Sequence, residues 1–158
     1  MFKKILVPLD GSTLAEEAIP TAAIMANKFD GDIYLVSIIL NIPQAARYSE
    51  SLSQSEEIKS IRDGFLEKAT RYLSDQMEAS VLTNDRIHLI MKDSRSAAEG
   101  ILEAAEEVGA DSIIMSTHGR SGINRWVFGS VAEKVLRGAK IPILLIRSKR
   151  GSADGDGV

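Results

Sequence analysis

Short apolar runs alternate with amphipathic stretches along the chain, and that alternation narrows the possible folds more than any single motif does. The run Lys4-Ile-Leu-Val-Pro-Leu9 reads as a first strand and stops at Asp10-Gly11, a turn signal. Thr13 and Glu16 then stand at capping-box spacing, and Ala15, Ala18, Ile19, Ala22, Ala23, Ala26 and Phe29 recur at helical intervals. Pro20 falls inside this helix; it lacks an N–H and crowds the preceding turn, so a kink or break is expected beside it. Ile33 to Leu40 is a second strand, apolar on both faces, as parallel strands covered by helices tend to be. Residues 41–55, with four serines and Pro43, show no period and are expected to form a mobile loop able to cover a site. Ile58, Ile61, Phe65, Ala69, Tyr72, Leu73 and Met77 then mark a long amphipathic helix.

The alternation continues to the end. Arg86 to Met91 is a third strand, with Ile87, Leu89 and Met91 alternating against His88 and Ile90. Ser96 and Glu99 form a second capping box, opening a helix that presents Ala97, Ile101, Ala104, Ala105 and Val108 on one face and stops at Gly109. Ser112 to Met115 is a fourth strand, Ser130 to Arg137 a helix ended by Gly138, and Ile141 to Ile146 a fifth strand. Strict β-α alternation implies an α/β fold, a doubly wound parallel sheet with helices on both faces and right-handed crossovers. In such sheets ligands sit outside the carboxyl ends of the strands, where the strand order reverses. Asp10 and the segment after Met115 both lie at such ends, and they converge if strands one and four are neighbours.

That segment, from Ser116 to Ser130, joins a strand to a helix through Gly119, Gly122 and Gly129 and carries Arg120 and Arg125. A glycine loop running into a helix N-terminus can hold phosphate, because the first backbone N–H groups lack internal partners and the helix dipole is positive there. The same residues also satisfy a plainer reading, since Ser130 and Glu133 are spaced as a capping box and glycine serves tight turns generally. The spacing excludes a P-loop, a Gly-x-Gly-x-x-Gly dinucleotide fingerprint and a Gly-x-Ser-x-Gly nucleophile elbow.

With 158 residues the chain suits one domain, expected over 1–148, followed by a small, polar, glycine-rich tail over 149–158 expected to be disordered. The absence of cysteine excludes a disulfide framework, thiolate chemistry and Cys-based zinc sites. Only three apolar residues precede Pro8 after the two lysines, too few for a secretory leader, and no apolar run reaches a membrane span, so a cytoplasmic protein is expected. A net charge of −3 argues against nucleic acid or an anionic membrane as partner. Basic residues nonetheless gather in the C-terminal third, at Arg120, Arg125, Lys134, Arg137, Lys140 and beyond, either as a solvated face or as a phosphate-attracting field.

The loop resembles that of the nucleotide-binding members of the universal stress protein family, which carry Gly-x-x-Gly, nine residues, then Gly-Ser or Gly-Thr. Gly119 is the second glycine of that pattern, Arg120 to Phe128 are the nine residues, and Gly129-Ser130 closes it. Ser116 replaces the first glycine and sets a Cβ and a hydroxyl where the family's nucleotide approaches the backbone. The likeness runs from Ile5-Leu-Val-Pro-Leu-Asp10 to Pro142-Ile-Leu-Leu-Ile146. It implies a five-stranded sheet ordered 3-2-1-4-5 and an adenine nucleotide, ATP or its relatives ADP and AMP, as ligand, with Mg2+ accompanying the phosphates.

A carboxylate after the first strand, as in Pro8-Leu9-Asp10, can accept a ribose hydroxyl or hold a metal ion beside phosphates, or simply serve the turn; the resemblance favours the ligand role, since the family has Pro-x-Asp here. The resemblance further implies that the Ile38 backbone meets the adenine edge, that Met115 flanks base or ribose, and that Gly119, Gly129, Ser130 and Val131 offer backbone N–H groups, with the Ser130 hydroxyl, to the phosphates. Ser116, His118 and Arg120 complete the candidate set by their place in the loop, an ordinary loop role for His118 remaining open. Trp126 and Phe128 read as packing anchors. No base, orienting carboxylate and nucleophile are spaced as a catalytic set, which argues against a hydrolase, and the resemblance implies a regulatory, stress-linked binding module with a protein partner of its own. A slow ATPase and an empty structural dimer are the alternatives. A homodimer is expected through Ile141 to Ile146, an apolar strand at the sheet edge without charged gatekeepers, which the resemblance pairs antiparallel across a two-fold axis.

Overall fold

The computed structural model describes residues 1–40, 84–117 and 129–147. The expected loop at 41–55, the helix from Ile58 to Met77, the glycine-loop interior at 118–128 and the tail lie outside the described residues. In chain order the described elements are β1 (Lys4–Pro8), α1 (Thr13–Glu16), α2 (Ala18–Phe29), β2 (Asp32–Leu40), a 3-10 turn at Asn84–Arg86, β3 (Ile87–Ser94), α3 (Ala97–Val108), β4 (Ser112–Ser116), α4 (Ser130–Gly138) and β5 (Ile143–Ile146). The sheet has five parallel strands ordered β3-β2-β1-β4-β5. Strands one and four are thus neighbours, as convergence of Asp10 with the glycine loop requires.

Alternation with a period of two divides the strands between two cores. Ile5, Val7, Ile33, Leu35 and Ile114 point to one face and pack with Ala18, Ile19, Ala22, Ala23 and Ala26 of α2. Leu6, Val36, Ile113 and Met115 point to the other and pack with Ala98, Ile101, Ala104 and Ala105 of α3 and Ala132 and Val135 of α4. The alanine stripes let helices approach the sheet closely. Each fully buried Ile, Leu or Val contributes about 1.5–3 kcal/mol relative to exposure, and Ile5, Leu6, Ile33, Leu35, Ile113 and Ile114 are all at 0–1 % exposure.

Three local expectations shift. The first helix is capped by Ser12, one residue before Thr13: its hydroxyl accepts the Ala15 N–H at 3.2 Å. The break associated with Pro20 comes at Glu17, whose N–H turns back to the Leu14 carbonyl. A new helix starts at Ala18, which places Pro20 in a first turn where a missing N–H costs no bond. Ser130 does not cap α4, because it lies within the helix and Gly129 occupies the N-cap; Glu133 instead pairs with Arg137 at 2.8 Å. The Ser96 cap forms as expected, accepting the Glu99 N–H at 3.2 Å.

The amino ends of the strands are closed by hydrogen bonds. Asp30 (φ 51°) and Gly109 (φ 64°) adopt the left-handed conformation at the ends of α2 and α3. The N–H groups of Gly31 and Ala110 return to the Ala26 and Ala105 carbonyls at 2.8 Å, the 6→1 bond of a Schellman motif. The Arg86 guanidinium donates to the Gly31 and Ala26 carbonyls and pairs with Asp30 at 3.2 Å, placing a cation at the negative end of α2. Asp111 accepts the Lys3 N–H at 2.9 Å and the Ser112 hydroxyl at 3.0 Å. Burial pushes the Asp111 carboxyl up, but the backbone N–H groups of Lys3 and Lys4, the Ser112 hydroxyl and the chain's amino terminus together hold it below its ordinary value.

Candidate functional site

At the carboxyl ends of the strands the chain encloses a cavity of about 480 Å³. Its walls come from segments far apart in sequence, and these include every candidate residue within the described part. Pro8, Leu9 and Asp10 follow β1; Ile38 lies near the end of β2; Met115 and Ser116 end β4; Gly129, Ser130 and Val131 open α4. The other candidates, His118, Gly119 and Arg120, fall among residues 118–128, outside the described part. The volume falls within the range of small-molecule sites.

The cavity lining combines apolar and polar groups. Val36, Ile38, Met91, Ala97, Ile101 and Met115 supply apolar wall suited to a flat apolar or aromatic group. Asp10, Ser116, Thr117 and the start of α4 also line it. There the first intrahelical bond runs from the Glu133 N–H to the Gly129 carbonyl at 2.9 Å, so the N–H groups of Ser130, Val131 and Ala132 precede it at the positive end of the helix. Gly129 itself differs from expectation. Its N–H donates to the Thr117 carbonyl at 2.8 Å, so it closes the base of the loop and is not available to a phosphate.

Asp10 is half-buried, and one of its carboxylate oxygens, Oδ1, accepts both the N–H of Ser12 at 2.9 Å and its hydroxyl at 2.6 Å. The turn role considered for this residue is therefore real. It also fixes the carboxylate, since an oxygen held by two donors cannot swing out of the cavity. Ser116 is 5 % exposed and lies at the mouth of β4, paired in register with Ile146. No group of three or more His, Cys, Asp or Glu side chains among the described residues is placed to hold a metal ion. His88 lies away from the cavity lining, stacked on Tyr34 with centroids 4.6 Å apart and with Nε2 3.5 Å from Asp32.

Sequence reasoning missed several lining residues. Thr117 is buried, with its N–H on the Ile146 carbonyl at 2.9 Å, and Met91, Ala97 and Ile101 supply apolar wall. Their signal in the sequence is that of ordinary core, and only the position of β3 and α3 beside β2 turns them toward the cavity. Of the basic cluster, Arg137 pairs with Glu133 and Lys140 with Glu106 at 3.3 Å, both on the solvated surface. Near the end of β3, Lys92 lies between Glu107 at 2.6 Å and Glu103 at 3.4 Å, and the Glu107 hydrogen bond foremost raises its pKa. No helix among the described residues is long and apolar enough to cross a membrane.

Comparison with known proteins accords with this fold. The universal stress protein family matches residues 1–147. A universal stress protein of Methanocaldococcus jannaschii is 31% identical over 152 residues, covering 95% of this chain and 85% of its own. Among solved structures, hypothetical protein MJ0577 superposes with a TM-score of 0.71 at 24% identity, covering 94% of this chain and 98% of its own. A universal stress protein in complex with cAMP gives a TM-score of 0.63 at 21% identity, covering 92% of this chain and 96% of its own. One from Archaeoglobus fulgidus in complex with dAMP gives 0.60 at 20%, covering 90% and 96%.

Proposed function

The chain belongs to the universal stress protein family, and from that premise we propose that it is a regulatory module that binds ATP or a related adenine nucleotide at the carboxyl ends of β1, β2 and β4. The observation that carries this reading is the gathering of Asp10, Ile38, Met115, Ser116 and the start of α4 around one cavity. The base lies against the apolar wall with its edge at the Ile38 backbone. The ribose hydroxyls meet Asp10, and the phosphates lie at the N-terminus of α4, on the Ser130 and Val131 amides and the Ser130 hydroxyl. The complexes of relatives with cAMP and dAMP support an adenine nucleotide as the ligand class. The donor set fits Mg2+ only as a companion of the phosphates, through Asp10 and water, because hard cations of this size keep several waters.

Mass spectrometry of freshly purified, denatured protein identifies any nucleotide that copurifies, and calorimetry with ATP is expected to give a dissociation constant in the micromolar range. No heat of binding with ATP, ADP or AMP, and no copurifying nucleotide, would leave the module reading without support. The sequence carries no P-loop lysine, so hydrolysis is expected well below the roughly 1–100 per second of kinases. Several turnovers per second, lost on Asp10→Ala, favour the ATPase reading. The cytoplasm remains the proposed location. Edge strand β5 carries no charge between Ile143 and Ile146, and we propose that it pairs with its copy in a second chain. Sedimentation velocity at micromolar concentration then returns twice the mass of the chain, and a clean monomer excludes the dimer.

A further inference from the structure

Gly100 lies inside α3, where glycine weakens a helix relative to alanine, so its presence calls for a packing reason. The reason is a close approach of the helix to the ends of two strands. A Cβ on residue 100 would lie 2.8 Å from the Cβ of Ser94, at the end of β3, and 2.9 Å from both Cδ1 and Cγ2 of Ile38 on β2. These separations are well inside the roughly 3.5–4.0 Å of favourable carbon contact. The Ser94 Cβ is fixed to the backbone and cannot yield by rotation. Nor can α3 easily retreat, because Ala98, Ile101, Ala104 and Ala105 bury its inner face in the core. Ile38 is the neighbour able to move, and it borders the cavity together with Ala97 and Ile101, which flank Gly100.

We propose that Gly100 is a positioning residue for the base-binding wall: the missing Cβ lets Ile38 lie back against α3 and leaves the cavity deep enough for a purine. The inference rests on the nucleotide reading above, but its structural half is independent of any ligand. An added methyl group at 100 drives Ile38 toward the open space, narrowing the wall where the base lies. None of the three atoms nearest to the added Cβ belongs to α4.

The test is a cycle of Gly100→Ala in wild type and in a background that combines Ser94→Gly with Ile38→Ala, read by ATP calorimetry and by methyl NMR of protein labelled at isoleucine Cδ1. Gly100→Ala is expected to shift the Ile38 Cδ1 resonance in ligand-free protein and to weaken ATP binding at least fivefold. In the background that combines Ser94→Gly with Ile38→Ala the same change is expected to alter affinity less than twofold, because both sets of atoms it strikes are gone. An unmoved Ile38 resonance, or an equal loss of affinity in both backgrounds, overturns the proposal. If Gly100→Ala alone fails to fold, recovery of folding when Ser94→Gly and Ile38→Ala are added supports the contact and its absence overturns it. A shifted resonance in a protein whose wild type binds no adenine nucleotide retains Gly100 as a packing device and refutes its role toward a base, with the fault in the nucleotide reading.

Discussion

At the amino ends of the strands polar groups are consumed by the fold, whereas at the carboxyl ends they are gathered around a cavity. The lower end holds two Schellman turns, the Arg86 guanidinium on the α2 carbonyls, and Asp111 tied to Lys3 and Ser112. Its glycine at 31 leaves no room, since an added Cβ would collide with the Phe2 carbonyl and come within 2.9 Å of Lys3 Cα. The upper end uses the same kinds of residue, a carboxylate, serines and a glycine, but arranges them about 480 Å³ of open space. Residue type alone therefore does not separate a structural role from a binding role. What separates them is the space around them: the chain fills it at the amino ends and leaves a cavity at the carboxyl ends.

If this division is real, substitutions at the two ends should separate binding from stability. The largest effect is expected for Gly129→Val at the upper end. On the proposed nucleotide reading a branched side chain there crowds the phosphates at the mouth of α4, and ATP affinity should fall more than about a hundredfold, or about 2.7 kcal/mol. The melting temperature should drop by only a few degrees, because the Gly129 N–H can still reach Thr117 and the φ of −57° suits any residue. Calorimetry and a thermal melt on the same sample decide it, and a large drop in melting temperature would merge the two ends.

Next is the mirror experiment at the lower end. Gly31→Ala strikes backbone that no rotamer change relieves, and overpacking of this kind costs about 1–3 kcal/mol. Urea unfolding should show that loss while the ATP dissociation constant stays within twofold of wild type. Ser116→Gly comes third. The serine hydroxyl is expected to compensate for its Cβ by turning to ribose or phosphate, so affinity should change by less than about tenfold, or about 1.4 kcal/mol. Binding by Ser116→Gly when wild type gives no heat would show that the serine has closed the site.

The smallest effect is expected for Asp111→Asn. A carboxyl held below its ordinary value of 3.8 contributes stability that is present above that value and fades as the pH falls through the folded one. The group is a third exposed, so the difference from wild type at pH 7 should stay under about 1 kcal/mol. Stability curves of the two proteins should converge in strong acid, and a gap that widens there would reverse the assigned sign.

The fold was legible because its signals are local or periodic. Alternation along Ile5-Leu6-Val7 and Ile33 to Val36 encodes a sheet covered on both faces, and the Ser96 and Gly109 signals bracket α3. Nearly equivalent local choices were less legible. Ser12 and Thr13 both suit an N-cap, and the chain uses Ser12 because its hydroxyl also bonds Asp10. Ser130 read as a cap because its spacing to Glu133 is right, yet the Thr117 carbonyl holds Gly129 at the cap position instead. Of the site, Asp10 and Gly129-Ser130 were visible through position and family likeness. Met91, Ile101 and Gly100 were not, since a core residue and a wall residue look alike until β3 and α3 are placed beside β2.

The bond from Gly129 to Thr117 has a further consequence for how this chain tolerates change. Together with the Thr117 N–H on Ile146, it ties the first residue of the helix turn to the end of β4 and through it to β5. The start of α4 is therefore placed by the sheet itself, and a change that disturbs the pairing of β4 with β5 is transmitted to the helix amides that border the cavity.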